Sequence, residues 1–316
     1  MIYFKKNIFK NVLLQIYILY NSSKVLINII LGLFKFKNKI KLSYGGSLSG
    51  NLGGTKVKIT RLNKFFRNND LNFNTLYLLS NSIYLNKFSL KLLKNSKIPI
   101  IHNQNGVFYK GWYGKGWQEK NKNMSFQYNI ADYVFYQSKF SKYSAEKFLG
   151  QRDGPGEILY NAVDNKFFRR FKVKTLGSQL KILVSGKYQT HLYYSLEFVI
   201  EVLNLLNKNN INASVNFAGY YDSKVIKNLT NVAKKYKIYN KIKFTGSYSQ
   251  EKADLIYNSA DIYFYFVHQS NCPNSVIEAM SCGLPVLCSN TGGLPEIVTK
   301  ESGICLNTEN SWEKPF

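Results

Sequence analysis

The sequence predicts an α/β protein built from two doubly wound domains, and three observations carry that prediction. Short bulky apolar runs of strand length alternate with amphipathic stretches at helical spacing, the pattern of parallel strands covered by helices. Glycines close several of those runs, at Gly186, Gly219 and Gly246. The chain of 316 residues accommodates two domains of ordinary size, and its 45% hydrophobic content is that of packed globular cores.

Residues 1–38 form a basic, apolar N-terminal extension. Asn11 to Phe34 is mostly apolar, with lysines at both ends and Lys24 in the middle. A membrane span needs roughly 20 predominantly apolar residues, and Asn21-Ser22-Ser23-Lys24 is expected to break this stretch into two shorter pieces. No small-residue cleavage site follows. Val12, Ile16, Leu19, Leu26, Ile30 and Phe34 recur near helical spacing, which favours helices lying in a membrane interface with lysines reaching the headgroups. A helical extension packed on the protein and a signal anchor are the alternatives.

The first domain is expected over residues 39–172. Lys39 to Ser43 reads as a short strand, followed by five glycines between Gly45 and Gly54 and a helix from Thr55 to Phe66. The glycine spacing is not the GxGxxG of dinucleotide enzymes; a loop that lets backbone approach a ligand and a flexible linker both account for it. Further strands are expected at Leu76–Leu79 and Ile98–His102. After them, NQNGVFYKGWYGKGW reads as a long loop whose Tyr109, Trp112, Tyr113 and Trp117 either stack on a sugar or, the favoured reading, anchor the loop.

A basic linker, Arg169 to Gln179, leads into a second domain over residues 173–316. Lys181–Ser185 is its first buried strand, ended by Gly186-Lys187. Leu196–Leu206 and Val225–Tyr236 read as helices, Ser214–Ala218 and Ile242–Thr245 as strands.

The segment Ser270 to Val298 carries the most chemistry. Asp261–Val267 is a strand, and Asn271–Asn274 is a proline-containing loop from which a helix starts near Asn274 or Ser275. The first amides of that helix lack intrahelical partners and sit at the positive end of its dipole, so they suit a pyrophosphate. Glu278, one turn in, can accept both hydroxyls of a ribose. Cys282-Gly283 stops the helix, Leu284–Cys288 is another strand, and Thr291-Gly292-Gly293 turns toward Glu296.

EAMSCGLPV and GGLPE in this segment resemble the C-terminal signature of the retaining GT-B glycosyltransferases of family 4, also called glycosyl transferases group 1. The resemblance covers about residues 40–307 and is strongest after Ala131. It implies two Rossmann-like domains facing a cleft, with the C-terminal part truncated after Gly303-Ile304. It also implies transfer of a sugar from a nucleotide diphosphate donor to a glycan or lipid-linked acceptor, with retention and without a metal or other cofactor. Of the family's glutamate pair, the first falls on Ser270 and the second on Glu278. The family's donor-contacting histidine aligns with Asn105, although His102 lies three residues away. These assignments make Asn105, Ser270 and Glu278 the expected catalytic positions. Gly53, Gly54, Gly186, Lys187, Cys272, Asn274, Ser275 and Glu278 become the expected donor-binding positions, with Lys187 at the basic place that pairs with phosphates. A second basic residue is missing, since Leu192 or Ser195 occupies its region. Ala131–Ser138 and Glu157–Asp164 resemble the last two strands of the family's N-terminal domain, including the NxVD turn that ends EILYNAVD.

The net charge of +25 points toward an anionic partner or toward compositional drift in an A+T-rich gene. An anionic membrane surface fits, at about 1 kcal/mol per nearby basic residue; nucleic acid is not expected. Cys272, Cys282, Cys288 and Cys305 show no CxxC pairing and read as buried reduced thiols, favouring a cytoplasmic protein peripheral on the inner membrane face. With only three histidines and no DxD-type motif, a metal centre is not expected. Surface polysaccharide or glycolipid synthesis is the natural setting. The main alternative is a non-catalytic or truncated relative that binds nucleotide sugar without transfer.

Overall fold

The computed structural model describes residues 2–32, 39–50, 53–171 and 177–313. The chain divides into two units, Met1–Phe108 with Lys115–Leu159, and Tyr109–Gly114 with Tyr160–Phe316. The expected domain boundaries at 38/39 and 172/173, residues 172–176 of the expected linker and the last three residues touch or lie outside the described residues.

The first unit begins with a single helix, α1 (Ile2–Gly32). The expected break at Asn21–Lys24 does not occur, because the polar side chains there bond back to their own helix. Asn21 Nδ2 donates to the Tyr17 carbonyl at 2.8 Å and Ser23 Oγ to the Tyr20 carbonyl at 2.8 Å. The other elements are β1 (Leu42–Ser43), α2 (Gly54–Leu62), β2 (Thr75–Leu79), α3 (Lys87–Asn95), β3 (Ile100–Gln104), α4 (Lys110–Tyr113, grouped with the second unit), α5 (Trp117–Ile130), β4 (Tyr133–Tyr136), α6 (Lys139–Leu149) and β5 (Gly156–Ile158). Side chains cap two of these helices: Asn86 Oδ1 accepts from the Ser89 amide at the start of α3, and Ser138 Oγ from the Ser141 amide at the start of α6.

The sheet is wholly parallel, in the order β1-β2-β3-β4-β5. Both its faces are covered, as strand alternation requires. Leu76, Leu78, Ile100, Val134 and Tyr136 pack with Leu90, Leu93, Met124, Tyr128 and Val25, drawn from α3, α5 and α1. Tyr77 and Leu79 point the other way and pack with Leu42, Tyr44 and Ile59 of α2. The strand expected within Glu157–Asp164 ends at Ile158.

The second unit continues with β6 (Leu180–Tyr188), α7 (Tyr193–Lys208), β7 (Ala213–Tyr221), α8 (Ser223–Lys235), β8 (Ile242–Gly246), α9 (Ala253–Asn258), β9 (Ile262–Tyr265), α10 (Asn274–Ser281), β10 (Val286–Ser289), α11 (Leu294–Ile297) and β11 (Gly303–Leu306). Its six parallel strands run β11-β10-β9-β6-β7-β8. The chain thus fills one half of the sheet outward from β6, then returns to β9 and fills the other half, which is the doubly wound topology. Helices α7 and α8 cover one face through Leu196, Val199, Val225 and Leu229; α9 and α10 cover the other through Tyr257, Val276 and Ala279.

Strand β6 is longer than expected and runs through Gly186 and Lys187 to Tyr188, because β7 extends beside it with Lys187 opposite Tyr220 and Tyr188 opposite Tyr221. Lys187 is therefore a strand residue and not part of the turn that ends the strand. The four cysteines are free thiols. Cys288 and Cys305 face each other in the β10–β11 register with their sulfurs 3.5 Å apart.

Candidate functional site

The second unit has one topological switch point, between β6 and β9. Their pairing is limited to Ile182 with Ile262 and Leu183 with Tyr263, whereas β6 stays paired with β7 as far as Tyr188. Beyond Leu183 the strands part, and open parallel sheets bind ligands in the crevice formed at such a place. Gly186 and Lys187 lie on one side of it. The loop from His268 to Pro273 and the start of α10 lie on the other.

Proline caps α10, and the Val276 and Ile277 amides turn back to the Pro273 carbonyl at 3.2 and 3.4 Å. Asn274 and Ser275 are thus the first two helical residues, as expected from the sequence, and their amides precede the intrahelical ladder. Cys272 is buried just before them. Asn161 donates through Nδ2 to the Cys272 carbonyl at 2.6 Å and through its backbone amide to Sγ at 3.3 Å. That pairing sets the direction from which the loop enters the helix.

Glu278 is 5% exposed. The Tyr257 hydroxyl donates to its Oε2 at 2.9 Å, and Ser185 Oγ lies 3.1 Å from the hydroxyls of both Tyr257 and Tyr263. Burial, reinforced for Tyr257 by the neighbouring Glu278 charge, holds both phenols far above their ordinary range. Both thus stay protonated and able to donate at neutral pH. One chain of hydroxyls therefore runs from β6 through Tyr257 to the carboxylate and fixes where it points.

Ser270 takes part in a second network. Its Oγ is 2.8 Å from the hydroxyl of the half-buried Tyr265, and its carbonyl accepts the Gly293 amide at 2.8 Å. A side chain at Gly292 (φ +68°) would bring Cβ within 2.4 Å of the same carbonyl, so the glycine pair of the sequence motif is there for close backbone approach. The preceding Gln269 is held at φ +51° by bonds from its amide to Thr291 and from Nε2 to Asn310 and Ser311. His268 Nε2 reaches the Ser311 carbonyl at 2.8 Å. Residues 310 and 311 thus strap the loop that carries Ser270. Lys187 is exposed, with Nζ 5.8 Å from the centroid of the Tyr220 ring.

The remaining expected site residues, Gly53, Gly54 and Asn105, belong to the first unit. Gly53 is the N-cap of α2 at φ +91° and Gly54 is the first helical residue. Asn105 follows β3: its amide donates to Ser80 Oγ at 3.0 Å, and its Oδ1 accepts from Gln137 Nε2 at 2.8 Å. His102 lies on the covered face, fully buried, with Nε2 bonded to Gln104 Oε1 at 2.8 Å. His102 lies within β3, whereas Asn105 is the first residue after it. In the aromatic loop, Tyr109 is buried and packs edge-to-face on Trp312, Trp112 on His191, and Trp117 on Phe148 of its own unit. Tyr109 is thus an anchor, whereas Trp112 and its neighbour Tyr113 stay exposed. Asn161 is the asparagine of the NxVD turn, whereas Tyr257, Tyr263, Tyr265 and Ser185 escaped the sequence reading, since none belongs to the segment that carries the motif.

The second unit is thus a doubly wound domain with a helix N-terminus and a buried carboxylate at its switch point, the class of nucleotide-binding α/β domains. Residues 165–314 match the family model described as Glycosyl transferases group 1. No curated protein sequence matches the chain.

Solved structures similar to the chain include Alr3699/HepE of Anabaena in complex with UDP-glucose (14% identity, TM-score 0.59, 81% of this chain and 69% of that one). Others are the sucrose-phosphate synthase of Thermosynechococcus elongatus (13%, 0.60, 79% and 63%) and a glycosyltransferase of Rickettsia africae (14%, 0.55, 92% and 81%). A second complex of the Anabaena protein, with UDP and glucose, is covered over 66% of its length, so the chain spans about two thirds of the Anabaena and Thermosynechococcus proteins. At such identities the likeness establishes the fold, which is the GT-B type.

Proposed function

We propose that the chain is a glycosyltransferase that moves a sugar from a nucleoside diphosphate donor to a glycan or lipid-linked acceptor with retention. The observation that carries this reading is the start of α10 at the β6/β9 switch point, one turn ahead of the buried Glu278. In this reading the Asn274 and Ser275 amides hold the diphosphate, assisted by Lys187 swinging off Tyr220, and Glu278 accepts the ribose hydroxyls. Ser270 and the backbone after Cys272 contact the sugar. When the C1–O bond breaks, its electron pair leaves with the diphosphate, and the helix dipole stabilises that charge. The acceptor hydroxyl forms the new bond on the same face and gives up its proton to the leaving phosphate. The reaction needs no base at Asn105, which positions the sugar through hydrogen bonds, and no metal. Gly53 and Gly54 border the donor, and the acceptor is taken by the first unit. The work is done at the cytoplasmic face of a membrane, in surface polysaccharide or glycolipid synthesis.

A second reading is a relative that binds nucleotide sugar without transferring it. It is favoured by the uncharged Ser270, already paired with Tyr265, and by the amide at Asn105. Thermal shift of the purified chain against UDP, GDP, ADP and their sugar conjugates, with Glu278→Ala as control, tests the donor site. Stabilisation by one nucleotide class that disappears in the control supports it, and turnover of that donor with an acceptor separates the two readings. A folded sample that responds to none of them removes both.

A further inference from the structure

Helix α1 is apolar nearly all round, and the first unit covers only one side of it. Asn28 is bolted to that unit at both ends of its amide: Nδ2 donates to the Phe73 carbonyl at 3.1 Å and Oδ1 accepts the Phe73 amide at 2.8 Å. Ser22 Oγ accepts the Asn86 amide, the Tyr17 hydroxyl donates to the Gly46 carbonyl, and Lys24 pairs with Asp70 at 3.2 Å. Val25 completes the contact by entering the main core of the unit. At about 100° per residue, the buried positions 21, 22, 25 and 28 lie on one side of the helix. Phe9, Val12, Ile16, Leu19, Ile27 and Ile30 lie on the opposite side, and all of them are exposed, Leu19 by 63%.

Charge identifies what covers that strip. Residues 1–159 hold 25 of the 43 lysines and arginines but only 6 of the 18 acidic residues, a net +19, against +6 for the rest of the chain. By sequence, Lys5 and Lys6 precede the apolar strip, Lys10 follows its first residue, and Lys35, Lys37 and Lys39 come after it. A second copy of this chain would meet the strip with the same positive charge and be repelled. An anionic bilayer surface matches both properties, offering apolar depth for the strip and negative headgroups for the flanking lysines.

We infer that α1 is a membrane-docking helix that lies in the plane of an anionic lipid surface. By length and hydropathy, Phe9–Gly32 could cross a bilayer, but a crossing helix would have lipid all around it. That would require Asn28, Ser22 and Val25 to leave the folded unit. In-plane binding leaves every one of those contacts intact. The inference supplies the membrane setting of the proposed function yet is independent of the donor site.

The test is co-sedimentation of the full chain with vesicles of phosphatidylcholine alone and with about one third phosphatidylglycerol, at low and high salt. We expect binding to the anionic vesicles, weakened by salt, and at least a tenfold loss in an Ile16→Asp/Leu19→Asp/Ile30→Asp variant that keeps the parent's far-UV spectrum and its nucleotide response. Absence of binding, or binding unchanged by the triple substitution, overturns the inference. So does a dimer in analytical ultracentrifugation that the same substitution dissolves, which would assign the strip to a second copy. Depth is read by single Phe9→Trp, Leu19→Trp and Ile30→Trp variants, as the fluorescence lost to brominated lipids beyond that of the parent. Equal depth at all three supports the in-plane helix; a Leu19 position much deeper than the other two means a span and overturns it.

Discussion

The Tyr257 hydroxyl and the Glu278 carboxylate are joined at 2.9 Å inside the second unit, where both residues are buried. The bond links α9 to α10 and determines which way the carboxylate faces. Tyr257→Phe leaves a buried carboxylate one donor short, a loss of about 1–3 kcal/mol. We expect a lower urea midpoint and a weaker thermal response to nucleoside diphosphate. A variant with the parent's midpoint and nucleotide response would mean that the bond positions nothing.

Ser270 offers a way to separate sugar from nucleotide recognition. Its hydroxyl contacts Tyr265 and stands where the proposed sugar would lie, whereas the proposed diphosphate and ribose contacts fall to α10 and Glu278. Ser270→Ala should lower affinity for the sugar nucleotide about five- to tenfold, the worth of one hydrogen bond, and leave affinity for the free diphosphate unchanged. Calorimetry with the two ligands checks it; equal losses would move Ser270 from the sugar to the nucleotide.

The elements that could be read from the sequence are those whose buried positions are apolar. Strands β2, β4, β7 and β9 and helices α7 and α8 fall where bulky runs and helical spacing put them. Helix α5 could not be read this way, because its buried side chains are Asn121, Met124, Gln127 and Tyr128. Asn121 is occupied in bonding the Phe108 backbone through both its oxygen and its nitrogen. The continuity of α1 was hidden for a related reason, its polar interruption being satisfied within the helix and against the first unit. At the candidate site the α10 segment was legible, since capping, carboxylate and glycine pair follow one another in sequence. Tyr257, Tyr263 and Ser185 were not, because only the return of the chain from β8 to β9 brings them to Glu278.

Gly219 has no room for a side chain. It sits opposite Gly186 at φ +117°, and a Cβ there would lie 2.1 Å from the Gly186 carbonyl oxygen. Gly246 also has positive φ, +77°, but its Cβ would meet nothing within 4 Å. Gly219→Ala therefore combines backbone strain with a clash at the crevice wall, about 3 kcal/mol or more, whereas Gly246→Ala carries only the strain, about 1–2 kcal/mol. Urea denaturation of the two variants side by side should reproduce that order, and equal midpoints would contradict it.

His102 makes the stability of the first unit depend on pH. The Gln104 oxygen can only accept, so Nε2 of His102 carries the ring proton and donates, and Nδ1 is buried without a partner. Burial first, offset in part by the Gln104 bond and aided by the Arg152 charge, lowers the imidazole from 6.5 to about 4. The unfolded chain takes up a proton below about 6.5 that the folded unit refuses until about 4. Stability is thus full above pH 6.5, falls as the pH drops toward 4 and levels off beneath, a loss of about 3 kcal/mol. His102→Gln removes this titration, and the difference in urea midpoint between parent and variant should change across pH 6.5 to 4 and be constant above it. A difference that is flat across the whole range would show that the ring stays neutral in neither state more than in the other.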